Sequence, residues 1–423
     1  MTALLSRTYD LPLITLSLDV DTAPTPPEPR AIRLVVEAPD GAREEVELPL
    51  VLPVDLPGIA AALDAGTPLS LPPDTLHLIG ETLRGLAPGE PVWLEYARPY
   101  GYLPVLPWER LLAPALPSPL LRLPLSAVPA PRTAAALRIA VCAPEAGTAQ
   151  LDTFLDAVVP QLPDDTEVEV FAAPAGRRLA AARGVVVHEP PEHDVRVADE
   201  LESPWMRWIA QTITPRSVDV VCVLAPGRLS RSYGMLDLGH SPKGEACPTG
   251  IRLVSTAQLL ACLTHVGAWS VSFEATHGQA ALRLLAHRMT ALVSGPVLLG
   301  PAGGDPAVLA EAMCFLYTHA RPHPPATHGL MVSCHPRRVH DRGPSAAAKH
   351  PHLAHDLDQA IEQCTPSIAP GAPAWAAANQ RLLERWTAGL IGIERDPGDS
   401  EAASQGVTDA LHFISGTIEE SAS

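Results

Sequence analysis

Short apolar runs broken by turn residues dominate the first part of the chain. YDLPLITLSLDV, AIRLVVEA and REEVELPLVLP read as β-strands within residues 1–56. APDGAR (Ala38 to Arg43) sets an Asp-Gly turn between the last two, which predicts a hairpin. The period then changes. In LPPDTLHLIGETLRGL, Leu76, Ile79, Leu83 and Leu86 recur at helical spacing. PVWLEYARPYGYLPVLPWERLL follows, dense in aromatics and prolines, and the proline-rich stretch from Ala113 to Pro131 reads as a crossing to another domain.

From Leu137 strand-like and helix-like patterns alternate. LRIAVCA reads as a fully buried strand, TEVEVFA, VDVVCVLA and AWSVSFEA as three more, and GLMVSC as a last short one. Between them, helices are expected over Asp152–Leu162, from Ser203-Pro204, from Ser255 with Gln258 as a capping box, over Ala281–Val293, and from Asp305-Pro306 through His319. Such alternation predicts an α/β fold, with a mostly parallel sheet covered by helices on both faces and an N-terminal β-rich region. Ligands of such sheets bind outside the carboxyl ends of the strands, here Ala225-Pro226-Gly227 and Glu274 to Gly278.

The expected organisation is a β-rich region with one helix (1–90), a Pro/aromatic-rich connection (91–131) and an α/β core (132–340). A mobile His/Pro/Ala-rich loop (341–373) follows, then a C-terminal helix and acidic tail (374–423). Pro373 to Ile393 carries the helical apolar pattern.

Composition narrows the function classes. A chain of 423 residues can bury more than one core. Only 4% of residues are aromatic while 47 are proline, so the apolar content is mainly Ala, Leu and Val in short elements joined by stiff loops. A net charge of −17 argues against nucleic acid as partner. No run approaches the roughly 18 apolar residues of a membrane span, and MTALLSRTYDLPL lacks the pattern of a signal peptide. The seven cysteines, Cys142, Cys222, Cys247, Cys262, Cys314, Cys334 and Cys364, include no CxxC pair and read as reduced thiols of a cytoplasmic protein.

VWLEYARPYGYLPVLPWERLL with PLLRLP, then SRSYGMLDLGHSP, ACLTHVGAWSVSFEA and ALRLLAHRMTALVSGPVLL, together resemble bacterial CHAT-domain proteins, in particular a branch found in conflict and antiviral defence cassettes. The resemblance runs from about Pro91 to Cys334. It implies a caspase-like fold and, in active members, peptide cleavage by a cysteine–histidine dyad. The histidine would follow the third core strand as His-Gly, and the cysteine would follow the fourth. Here those positions fall on Pro226-Gly227 and Ala275, neither able to move a proton or attack a carbonyl. The resemblance therefore implies a pseudo-peptidase that binds protein partners, with a displaced cysteine nucleophile as the alternative.

Other chemistry-bearing residues compete with that reading. Cys334-His335 ends a strand, but adjacent strand residues face opposite ways, so a Cys334 nucleophile needs His277 or His240. Ser270, Ser272 and Glu274 share one strand face near His277, without the spacing of a nucleophile elbow. Arg228 and Arg231 stand where an acidic group could be bound. GPAGGDP reads as a loop with a helix cap, having neither a dinucleotide-binding pattern nor a P-loop lysine. HPHLAH lacks the companions of a known zinc class. No cofactor and no metal site is expected.

Overall fold

The computed structural model describes Leu5, Tyr9 and residues 11–340, apart from 22, 24–27, 39, 87–89, 117, 126–135, 193–200, 246–251, 319–322 and 327–328. The expected 341–373 loop, the Pro373–Ile393 helix and the acidic tail lie outside the described residues.

The N-terminal part contains β1 (Leu13–Asp21), β2 (Glu28–Glu37), β3 (Arg43–Pro49), α1 (Leu56–Asp64), α2 (Pro73–Thr82), β4 (Val92–Tyr96), α3 (Trp108–Leu111) and β5 (Leu120–Arg122). The core begins with β6 (Arg138–Ala143), α4 (Thr148–Thr153), β7 (Glu167–Ala172), α5 (Pro174–Ala181), β8 (Val186–Val187), α6 (Pro204–Ile213) and β9 (Val220–Leu224). A small sheet of β10 (Gly227–Ser230), β11 (Tyr233–Asp237) and β12 (Leu253–Val254) interrupts it. Then follow α7 (Thr256–His265), β13 (Ser270–Glu274), α8 (Gln279–Met289), β14 (Val297–Gly300), α9 (Pro306–Tyr317), β15 (Met331–Ser333) and α10 (Arg337–His340).

Twelve strands form one sheet, in the order β3-β2-β1-β4-β5-β15-β14-β13-β9-β6-β7-β8. The pairs β1/β2, β2/β3 and β14/β15 are antiparallel, and the other neighbours are parallel. The protein is thus α/β, with a mostly parallel sheet and an N-terminal β-rich region. Burial on both faces explains the unbroken apolar run of β9. Val220, Cys222 and Leu224 face a core shared with Leu151, Phe154, Met313 and Phe315. Val221 and Val223 face the opposite core, with Trp208, Ile209, Leu263 and Leu282.

Local signals placed most boundaries. β2 and β3 form the hairpin expected from APDGAR, with Gly41 at φ +86°. Ser255 Oγ accepts from the Gln258 N–H at the start of α7, and Asp305 Oδ1 accepts from the Ala307 N–H at the start of α9, which ends at Tyr317. Ser203 stands at the start of α6 as expected, but its hydroxyl is buried and makes no capping bond. Among the elements the sequence did not reveal are α1 and β14. α1 has no polar stripe to reveal its period, and β14 is only four residues long.

Residues 91–131, expected as a connection, instead contribute β4 and β5 to the sheet. They join the N-terminal strands to the core through β1/β4 and β5/β15. Between them α3 carries Glu109, fully buried, whose carboxylate receives Arg122 Nε at 2.6 Å and Arg283 Nη1 at 3.1 Å. Arg122 also donates to the Pro104 and Leu106 carbonyls at 2.7 and 3.3 Å. Burial alone would raise the Glu109 carboxyl, but the two guanidiniums hold it below its ordinary value. On α8, one turn beyond Arg283, burial and then Arg122 push the His287 imidazole down to about 3, so it is neutral beside the Tyr96 and Tyr100 rings.

Removing the carboxylate leaves two guanidiniums in a closed core. Glu109→Ala should therefore lose about 3–5 kcal/mol of stability, read as a lower urea midpoint with an unchanged denaturant slope.

Candidate functional site

β9 and β13 are parallel neighbours with Leu224 opposite Glu274, so the segments Ala225–Gly227 and Ala275–Gly278 leave the sheet side by side. The Gly227 N–H donates to the His277 carbonyl at 3.0 Å. Here the two strand exits cross almost in contact. A Cβ on Gly278, which has φ +68°, would lie 2.0 Å from the Gly227 oxygen, and one on Gly227 would lie 2.5 Å from the Gly278 oxygen. Only glycine tolerates both the left-handed conformation and the approach.

Pro226 is buried, and its carbonyl accepts from the Asp237 N–H at 2.9 Å. Ala275 is buried and donates its N–H to the Gly300 carbonyl at 3.1 Å, extending the β13/β14 ladder by one residue. The two expected dyad positions thus sit at adjacent strand ends, and neither offers an ionisable group. What they border is an open cleft of about 510 Å³. Gly227–Leu229 and Thr276–Ala281 form most of it, and Ala60, Leu63 and Asp64 of α1 wall one side.

His277 is exposed, with Nδ1 3.2 Å from Thr276 Oγ1. Arg228 also lines the cleft, and its guanidinium reaches Asp237 at 3.4 Å, a carboxylate shared with Arg252. Arg231 stands apart from it, at φ 54° in the two-residue turn between β10 and β11. Gly227–Ser230 and Tyr233–Asp237 form a hairpin to which β12 adds a third strand, so SRSYGMLDLGHSP supplies its central strand. It lies flat on α8, where a Cβ on Gly234 would meet the Ala281 carbonyl at 2.0 Å. His240, exposed, pairs with Glu145 at 3.5 Å beyond the end of β6.

The displaced nucleophile is at the wrong end of the sheet. β15 runs against β14 with Ser333 opposite Val297, so Cys334 lies at the amino end of β14. His277 and His240 lie past the carboxyl ends of β13 and β6. The length of a strand separates the thiol from both imidazoles, far beyond hydrogen-bond reach. Cys334 is also buried, as are Cys142, Cys222, Cys262 and Cys314. Burial pushes the Cys262 thiol up to about 12 and those of Cys142 and Cys222 higher still. Ser270 and Ser272 are buried within the sheet, and Ser270 donates to the Pro296 carbonyl at 2.5 Å. Neither pairs with His277. The HPHLAH stretch lies outside the described residues.

Sequence reasoning named Glu274 only as a neighbour of His277, and it proves the most perturbed acid at the crevice. It borders a small cavity of about 30 Å³, formed with the loop after β14 and the first turn of α9. Oε2 is buried and has no hydrogen-bond partner, and burial pushes the carboxyl up to about 7. The signal was present in the charged residue that ends a strand whose other residues are uncharged. GPAGGDP, expected as a loop with a cap, supplies the facing wall through Gly304 and Asp305.

Fold and site together define an α/β protein with a cleft at the carboxyl ends of two adjacent parallel strands and a buried carboxylate beside it. Among the described residues, no helix is long and apolar enough to cross a membrane. No protein-family model, curated protein or solved structure matches the chain.

Two outcomes are expected at this site. Gly278→Ala should cost more than about 1 kcal/mol, measured by urea denaturation, because the methyl meets backbone rather than a movable side chain. Glu274 takes up a proton on folding between its ordinary carboxyl value and about 7. Its contribution is therefore fully present below about pH 4.5 and lost as pH rises through about 7. Glu274→Gln should gain on the wild type by up to about 3 kcal/mol between pH 4.5 and 8, seen as diverging urea midpoints.

Proposed function

We propose that this chain is a catalytically silent, caspase-like protein of the CHAT type that works by binding protein partners. It would serve as a scaffold or regulatory component of a bacterial conflict or antiviral defence system. The reading is carried by the crevice. The positions that follow the third and fourth long core strands, where the resemblance implies a histidine and a cysteine, are neighbours in space and hold Pro226 and Ala275. The site keeps the open cleft of a binding surface, while the two positions of the implied dyad carry neither a base nor a nucleophile.

The defence setting and a cytoplasmic location are drawn from the quoted sequence motifs and from the reduced, dispersed cysteines. A cysteine peptidase with Cys334 as displaced nucleophile gains no support from the geometry, because the thiol is buried and lies a strand's length from His277 and His240. Arg228 is engaged by Asp237, which weakens the case for an anion at the cleft mouth.

The purified chain, incubated with a degenerate peptide library, is expected to yield no cleavage that a thiol alkylator suppresses. In the same sample Cys142, Cys222 and Cys262 should stay unlabelled by iodoacetamide at neutral pH until denaturant is added. Steady cleavage abolished by one cysteine substitution would overturn the proposal.

A further inference from the structure

The side of the small sheet turned away from α8 has the chemistry of an interface. In the β10/β11 hairpin Arg228 lies opposite Met235 and Ser230 opposite Tyr233, so these four side chains share one face. Leu229, Gly234 and Leu236 share the other, which packs on α8. Leu253 of β12, opposite Asp237, extends the outer face by one strand.

Tyr233 stands out on that face. It is 55% exposed, while every other Phe, Trp and Tyr among the described residues is buried or half-buried. Its ring is held in place by Arg288, near the end of α8. That guanidinium lies 4.4 Å from the ring centroid, and Nη2 donates to the Ser232 carbonyl at 3.3 Å. A ring already propped loses little freedom on binding. Tyrosine and arginine are also the side chains that most often dominate binding at interfaces.

The charge of this surface runs against that of the whole chain. Arg228 and Arg252 share one carboxylate, Asp237, at 3.4 and 3.0 Å. Arg231, exposed at the hairpin turn, and Arg288 form no ion pair among the described residues. Two guanidiniums with unspent donors beside an exposed ring suit carboxylates that flank an apolar side chain. A second copy would bring the same surplus of arginine to the contact, and like charge opposes that pairing.

We propose that the outer face of the β10–β12 sheet docks an acidic segment of a partner protein. An apolar residue of that segment packs on Tyr233, and its carboxylates engage Arg231 and Arg288. These three residues lie outside the cleft, so the assignment stands apart from the crevice reading.

The test titrates the full chain, by fluorescence anisotropy, with three pools of decapeptides and with oligothymidylate. The pools share randomised apolar centres and carry glutamate, glutamine or lysine at the flanks. The glutamate pool should bind most tightly, and Tyr233→Ala and Arg288→Gln should each weaken it about tenfold with the thermal melt unchanged. Arg231→Asn, which tolerates the left-handed turn, should make the binding less sensitive to salt. Equal binding of the glutamate and glutamine pools would overturn the acidic partner, and tighter binding of oligothymidylate would overturn the protein one. Glutamate-pool binding that none of the three variants changes would overturn the surface. A dimer that Tyr233→Ala makes monomeric would give the face to a second copy and overturn the proposal. So would binding seen only when the six carboxylates after Arg395 are replaced by amides, since the chain's own acidic end would then be the occupant. Silence from every pool would overturn it as well.

Discussion

One carboxylate holds the molecule in its arrangement. Glu109 sits in a closed core between Arg122 of β5 and Arg283 of α8, accepting from a residue 13 positions away and from one 174 positions away. Such a buried cluster is a modest source of stability, because its charges must leave water, but it tolerates few alternatives. Any packing of the N-terminal strands that moved Glu109 would strand two guanidiniums. The cluster therefore ties α3, β5 and α8 together, and with them the two halves of a single continuous sheet.

α8 then acts as the hinge point between cores without being free to move. Ala280 and Leu284 pack with the N-terminal strands and α1, while Leu282, Leu285 and Met289 pack with β9, β13 and α7. A helix buried from Ala280 to His287 is held on every side. Its first residue follows Gly278, so the Gly227–Gly278 crossing and the cleft beside it inherit that rigidity. The small β10–β12 sheet lies on the same helix. The crevice is thus preformed, with Pro226 and Ala275 at its two strand ends.

Much of the core was legible along the chain. β6 and β9 are buried on both faces, so Ile139–Ala143 and Val220–Leu224 are unbroken apolar runs, while β7 and β13 show themselves by valine and phenylalanine alternating with polar residues. Asp40-Gly41, Ser255 with Gln258, and Asp305-Pro306 mark boundaries through bonds made within a few residues. The crevice at Ala225–Gly227 and Glu274–Gly278 was legible too, since it follows from strand direction alone. Residues 91–131 were not. Their prolines and aromatics read as a connection, yet Trp93 and Leu94 are buried strand residues paired with β1, and Arg122 of β5 pairs with Ser333 of β15. β14 was hidden by brevity, and the hairpin after β9 by its polar turn.

What the sequence by itself determined was local: the periods of 2 and 3.6, the caps, and the identity of Pro226 and Ala275 at two strand ends. These depend on neighbours a few positions apart, so the chain carries them openly. Tertiary structure alone decided the rest. Glu109 and Glu274 are the same residue type, yet one is held ionised by two guanidiniums and the other is raised toward neutrality in a nearly apolar cavity. Cys334 and His277 looked available to each other until antiparallel pairing put them at opposite ends of the sheet. Desolvation and distance are set by what packs against a group, and that is decided only when segments far apart in the chain are brought together.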